Sequence, residues 1–467
     1  MGWIKMYYFR GLIDSINFAY NFKTRYLFEF TLRRDGSSVF GEDQRWATFP
    51  SVAIGWTFSD ESFLKSVNWL SYGKIRASWG QSGVQFDKAY LAHGLMEIGA
   101  IYDGERGMRA SGILNRKLGW EQSDQYDLGL DLDFLDYRIK FKFDYYYRYT
   151  KDKLWKVNLP SGGSFLGGFS KQWRNAMEVS NEGIEFEVTC DILRETKVTW
   201  RSKITASRNW NRFEKSADGF DFMEQVIGKP LHQIKVFKTD GFYNSLDEVP
   251  VYYLANKEVQ PLYSGITAGI YLPGSRRLVD LNGDGRITED ADVYFAESPL
   301  PLAHGGFINQ LRWKNFDLNI FFNYSLGRHI VKVYDDVSMT ANGSTKPLFV
   351  DVNDVKIWTE AGSKADYPKS QVYAYLMNQT SGRYDCDIES VSFLRLKQLT
   401  LGYNVGERVL NKLKISGARI FVTGENLFLL TNYSGLDPEL VNPTQGVDNM
   451  GSYPLPRKFT VGLSVNF

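Results

Sequence analysis

The sequence predicts an all-β protein, an antiparallel transmembrane β-barrel with long extracellular loops. Three observations carry that reading. Residues 125–149 form two long alternating runs around a short turn, 15% of the 467 residues are aromatic, and residues 459–467 alternate without a break to the last position.

In the first run, Tyr126, Leu128, Leu130, Leu132 and Phe134 alternate with Gln125, Asp127, Gly129, Asp131 and Asp133. Past Leu135 and Asp136 the phase flips. Tyr137, Ile139, Phe141, Phe143, Tyr145, Tyr147 and Tyr149 then share one face, and Arg138, Lys140, Lys142, Asp144, Tyr146 and Arg148 the other. Period two on both sides of a short turn signals an antiparallel hairpin. A two-residue turn sets Asp133 opposite Arg138 and Asp131 opposite Lys140, so that opposite charges pair across the strands. A usual strand has roughly five or six residues. Crossing a bilayer takes about 9–11 tilted ones, with the apolar face on lipid and aromatics at the interfaces.

Composition narrows the class. The net charge of +1 gives no surplus that would attract nucleic acid. Mean hydropathy is −0.32, and no run approaches the ~18 apolar residues of a membrane helix. A barrel is polar on average because half of each strand faces a wet lumen. The 32 Phe, 28 Tyr and 12 Trp fall along alternating strands, which argues against a large soluble β protein. Cys190 and Cys386 are too few for a disulfide framework, and the four histidines lack ligand spacing.

Taken in order, strands fall near residues 15–22, 26–32, 52–58 and 74–79, then at the long hairpin, 184–188, 198–204, two between 305 and 325, and three near 391–404, 415–426 and 457–467. Long loops are expected near 81–124, 211–300 and 326–389, including the Gly- and Ser-rich stretch within 150–181. In the last strand Phe459, Val461, Leu463, Val465 and Phe467 alternate with Thr460, Gly462, Ser464 and Asn466, and Phe467 resembles the terminal aromatic by which outer-membrane barrels are recognised for assembly. The first twenty residues lack the apolar core and small-residue cleavage site of a signal peptide. About thirteen strands are expected, whereas plugged transporters have about 22. Residues 1–467 therefore read as one partial barrel domain, the carboxy-terminal portion of a 22-strand-type plugged barrel without signal peptide or plug.

Candidate sites are few. Asp280, Asn282 and Asp284 followed by Gly285 match the opening of a calcium loop, in which oxygen ligands alternate and glycine permits a tight bend. The twelfth position, where that loop needs a carboxylate, is Ala291; Asp290 and Asp292 flank it, and Asp290 is the candidate fourth ligand. The competing reading is an Asn-Gly/Asp-Gly turn held by its own side chains. No cofactor is required, and calcium is the one inorganic ligand suggested. No nucleophile elbow, phosphate loop or histidine spacing is present. The acid pairs Asp131/Asp133 and Glu185/Glu187 lie at i, i+2, where lumen lining explains them better than glycoside hydrolysis. Trp155, Phe165, Phe169 and Trp173 could stack on a sugar or peptide, or simply pack a loop.

Several segments resemble the SusC/RagA family of TonB-dependent outer-membrane receptors. They are RRDGSSVFG (33–41), RWATFPSVAIGW (45–56), SYGKIRASWGQSG (71–83), DLNGDGRIT (280–288), GGFINQLRWKNFDLNIFFNYSLG (305–327), SFLRLKQLTLGYNV (392–405), VTGENLFLLTNYSGLDPEL (422–440) and YPLPRKFTVGLSVNF (453–467). They keep the family's order over nearly the whole chain. The resemblance implies a non-enzymatic role at the cell outer membrane: TonB-dependent uptake of a glycan or peptide through a gated barrel embedded in outer-membrane lipid. It implies two partners, a SusD-like surface lipoprotein and the TonB complex, the latter reached through an amino-terminal part not seen in these residues. The rival from another class is a barrel remnant acting as a surface scaffold or adhesin.

Overall fold

The computed structural model describes residues 11–85, 92, 96–102, 104–110, 113–159, 171–222, 225–253, 258–264, 269–332, 356–366, 368, 383–442, 446–448 and 453–467. Thirteen strands form one sheet. They are β1 (Gly11–Phe22), β2 (Tyr26–Ser37), β3 (Trp46–Trp56), β4 (Leu70–Val84), β5 (Glu121–Phe134), β6 (Ile139–Asn158) and β7 (Lys171–Leu193). β8 (Val198–Ser216), β9 (Ala303–Trp313), β10 (Phe316–Leu326), β11 (Phe393–Asn404), β12 (Gly417–Thr431) and β13 (Lys458–Asn466) complete it. Each strand pairs antiparallel with the next in chain order, with no crossover. The thirteen expected strands are present, but several run past their expected ends. β6, β7 and β8 reach 20, 23 and 19 residues, because the outward face of their upper halves turns polar and the lipid-facing alternation stops.

The hairpin β5–β6 departs from its expected register. Phe134 pairs with Ile139, Asp133 with Lys140 and Asp131 with Lys142, so four residues, 135–138, close the turn rather than two. Leu135, Asp136 and Tyr137 all take left-handed φ, between 52° and 63°. The turn is held by its neighbours: Leu135 N–H donates to Trp69 O (3.0 Å) and Tyr137 N–H to Ser71 Oγ (3.2 Å). Arg138 is drawn sideways, donating to the carbonyls of Asp191 (2.9 Å) and Ile192 (2.7 Å) at the end of β7. It is thus spent on capping a neighbouring strand and cannot face Asp133.

Period two sorts the side chains. The outward face of β1 to β3 carries Ile16, Phe18, Tyr20, Phe28 and Ile54, all exposed, as expected of a surface that meets lipid. At the end with short turns, outward aromatics form a belt: Phe22 with Tyr26 (6.3 Å between rings), Trp69 with Phe134 (5.8 Å), Trp313 with Phe316 (6.3 Å) and Phe316 with Tyr403 (5.0 Å). A second row marks the other boundary, where Trp79, Tyr126 and Tyr147 are cross-strand neighbours. On β5 the interval from Tyr126 to Phe134 matches the length a tilted strand needs to cross hydrocarbon. No helix among the described residues is long and apolar enough to cross a membrane.

Above the second row the connections fold on themselves. The stretch 211–300, expected to be a long loop, begins with the end of β8, and its described residues then make short two- and three-stranded ladders around a core of Phe237, Tyr243, Val249, Leu262, Tyr271, Leu278 and Ile287. A second cluster joins Ile330, Val391, Tyr433 and Val441 from two connections. Arg328, 5% exposed, donates to the carbonyls of Pro299 (2.9 Å), Pro438 (3.4 Å) and Val441 (2.6 Å), tying this dome to the rim of the sheet.

The outward apolar band makes a direct prediction. Leu130→Arg, midway between Tyr126 and Phe134, lowers unfolding free energy in urea by about 2–4 kcal/mol, the midplane cost for an arginine on the lipid face. An arginine at Lys142, which faces the other way on the partner strand, costs less than half as much.

Candidate functional site

The inward face is a polar wall. Arg76 on β4 reaches across Gly129 to two carboxylates on neighbouring strands, with Nε–Asp131 Oδ2 at 2.8 Å and Nη2–Asp144 Oδ1 at 2.8 Å. Gly129 makes this possible, because a Cβ there would sit 2.5 Å from the Arg76 guanidinium carbon. Lys203 meets Glu187 at 2.8 Å, Arg201 meets Asp191 at 2.6 Å, and Arg419 meets Asp317 through two nitrogens. Ser78 donates to Asp127 and Tyr146 to Asn209. The acids Asp131, Asp133 and Glu187 are thus engaged by Arg76, Lys140 and Lys203. A wall of neutralised, hydrogen-bonded pairs wets a lumen without a strong field of either sign.

The structure brings Asp280, Asn282 and Asp284 into one turn. Asp280 accepts the N–H groups of Gly283 (2.7 Å) and Gly285 (2.8 Å), both at left-handed φ. Asp284 accepts from Arg286 N–H (2.8 Å) and from the Asn282 amide (3.0 Å). Burial pushes the Asp280 carboxyl up, but the hydrogen bonds from Gly285, Tyr252 and Gly283 outweigh it and hold the group below the usual range. Burial, with the bond to Asp280, pushes the Tyr252 phenol up to about 12. Asp290 is exposed, whereas Asp292 is fully buried and closes the loop by accepting from Leu281 N–H (2.9 Å) and Thr288 N–H (2.7 Å). Sequence reasoning named Asp290 first because spacing alone does not show which flanking carboxylate turns inward. Among the described residues no three His, Cys, Asp or Glu side chains are placed to share a metal ion.

At the tops of β6 to β8, Trp155, Lys156, Trp173, Asp218, Phe220 and Phe222 border a cavity of about 600 Å³. Trp155 stacks on Phe222 (6.3 Å, 23°), and Phe222 on Phe213 (5.6 Å, 26°). Phe165 and Phe169 lie outside the described residues. Phe467 is 96% exposed just past β13, and its carbonyl accepts from Ser416 Oγ (3.2 Å). Cys190 and Cys386 are both free.

A long-stranded meander, greasy outside between two aromatic rows and ion-paired inside, defines an outer-membrane barrel wall. The comparisons with known proteins agree. The profile described as TonB dependent receptor-like, beta-barrel matches residues 12–466, and the chain belongs to that family, in its SusC/RagA type. It is 33% identical over 468 residues to "TonB-dependent receptor P3" of Formosa agariphila, covering 96% of this chain and 44% of that protein. It is 32% identical over 460 residues to "TonB-dependent receptor SusC" of Bacteroides thetaiotaomicron, covering 96% and 43%. Its fold superposes on the RagAB peptide transporter with a TM-score of 0.75 at 23% identity, covering 98% of this chain and 47% of that one. The open-open state of the RagAB peptide importer gives 0.77 at 24%, with 98% and 47% covered. The chain thus spans less than half the length of these relatives. The family is one of outer-membrane receptors, not of enzymes.

Two outcomes follow from the geometry. Gly129→Val displaces the Arg76 guanidinium and destabilises the wall by about 1–3 kcal/mol, the usual cost of overpacking, read as a lower urea midpoint. Asp280 has a depressed pKa, so its contribution is present above the ordinary carboxyl value of about 3.9 and is lost as pH falls through the folded value. Amide protection of Gly283 and Gly285 therefore drops in acid and is absent at every pH in Asp280→Ala.

Proposed function

We propose that this chain is the wall of a TonB-dependent importer that carries a glycan across the outer membrane, with peptide as the alternative cargo. The observation that carries the reading is the neutralised polar wall on a thirteen-strand meander with a lipid-facing exterior. Such a wall passes a hydrated, uncharged solute without holding it, since its paired charges present little net field. The preference for a glycan rests on the stacked Trp155 and Phe222 beside Asp218 and Lys156, aromatic faces with polar groups at their edge. A SusD-like lipoprotein would close over the dome, and TonB would act through a plug and contact segment supplied outside these residues.

Calorimetric titration of the complete protein with defined oligosaccharides and peptides tests the cargo. Oligosaccharide heat that Trp155→Ala reduces about tenfold or more in affinity, within the range of about 1–3 kcal/mol for one stacking contact, supports the glycan. Heat from peptides alone transfers the reading to peptide. Uptake that persists when TonB is deleted overturns import by this route.

For the 280–292 loop we propose calcium as a separate ligand, on the shared turn of Asp280, Asn282 and Asp284. Titrated calcium should release heat in the wild-type protein and in Asp290→Ala, but not in Asp280→Ala. Equal heats in wild type and Asp280→Ala remove calcium from this loop.

A further inference from the structure

β8 outlasts its partner. Its last pairing with β9 is Ser207 with His304; beyond it β8 keeps β7 on one side and meets the 227–231 connection on the other, where Phe213 exchanges backbone bonds with Gly228 and Lys229. On this step the outward side chains are Arg208, Trp210 and Arg212, continuing the face of the exposed Ile204 with no bulge between. Trp210 lies opposite Glu182, which lies opposite Tyr147, so the step begins at the aromatic row that marks the outer membrane boundary.

The basic groups here do not meet the carboxylates in ion pairs as they do inside. The nearby carboxylates already have donors: Glu182 accepts from Tyr145 (3.3 Å), Glu214 from Ser180 (2.5 Å), and Glu178 from Tyr149 and from Lys215 at 3.5 Å. Arg208 lies 4.6 Å over the Trp210 ring, and neither Arg208 nor Arg212 forms an ion pair among the described residues. On the inward wall the arginines Arg76, Arg201 and Arg419 are all paired. Two unpaired guanidinium groups flanking an interfacial tryptophan, on the lipid side at headgroup height, fit an anion that the membrane supplies. Guanidinium binds phosphate oxygens in pairs, and tryptophan favours the boundary between chain and headgroup.

We propose that Arg208, Trp210 and Arg212 form a site on the outer wall for the phosphate of an anionic glycolipid of the outer leaflet. The site needs the outer-membrane placement and does not depend on what the barrel imports. Its contribution is to fix the height and rotation of this part of the wall, whose upper edge lacks a neighbouring strand on one side.

The test is retention. The complete protein is extracted from its outer membrane in mild detergent, exchanged, and measured by native mass spectrometry and bound phosphorus. Wild type should keep a phosphorylated glycolipid, and Arg208→Gln/Arg212→Gln should keep about tenfold less, as expected for two basic residues near an anionic surface. Arg194→Gln, at the opposite membrane boundary, should keep the wild-type amount. Equal retention in wild type and the double variant overturns the site, as does equal loss in Arg194→Gln. So does a bound anion that proves to be an acidic protein or free polysaccharide. If the double variant fails the heat-dependent gel shift of a folded barrel, Arg212→Gln alone, which breaks no ion pair among the described residues, should lower retention about threefold; no change then overturns the proposal.

Discussion

In hydrocarbon no water is present to satisfy a peptide group, so every strand that crosses must give its N–H and C=O groups to a neighbour. That requirement explains the unbroken ladder from β1 to β13. It also fixes the chemistry of the side chains. Once the ladder is imposed, successive residues face lipid and lumen in turn, and the lipid-facing member must be apolar while the other is free to be charged. The ion pairs of the wall follow from this, because a charge on the inward face is wet on one side and walled by low dielectric on the other. Pairing Arg76 with both Asp131 and Asp144 relieves it.

Above the membrane the same strands continue, but their support changes. Ala176, Met177, Val179 and Phe213 are buried on extensions that no longer touch lipid. There the loops supply the cover, with Phe222, Ile227 and Leu231 packing on Met177, Val179 and Phe213. Two buried arginines attach the connections to the rim. Arg328 does so through three carbonyls, and Arg395 of β11 through Asp437, both partners 3% exposed, at 2.5 Å. A buried ion pair adds little net stability over an apolar substitute, but removing one partner leaves an uncompensated charge. Such contacts fix where a loop sits rather than how firmly the chain folds.

Much of the wall was legible in the sequence. The alternation of residues 125–134, 305–325 and 459–467 is imposed by lipid, and lipid leaves a direct mark on residue type. The upper halves of β7 and β8 were not legible. Glu178, Ser180 and Glu182 face outward while Met177, Val179 and Asn181 face inward, so the outward face turns polar and the lipid-facing alternation stops. The four-residue turn at 135–138 escaped because its cause is the remote pull of Asp191 and Ile192 on Arg138. Spacing places Asp280, Asn282 and Asp284 in one turn, whereas which flanking carboxylate turns inward, Asp292 and not Asp290, depends on which side of the loop the dome core covers.

The dome has a core of its own, joined to the rim by polar contacts and apolar packing, while the wall is a continuous ladder in which every strand but the two at its edges depends on two others. Recombination therefore meets two materials of different tolerance. A crossover inside a strand must preserve register with both neighbours. A crossover near residues 217 and 302 exchanges a cassette with a core of its own, whose obligations are its contacts with the rim and with the 326–392 connection, including the Pro299 carbonyl held by Arg328, the packing of Phe222 on Phe213 and the bond from Thr239 N–H to Asp385. Diversity among such barrels should accumulate by exchange of domes on a conserved wall, so that lineage is recorded in the ladder and diet in the cap.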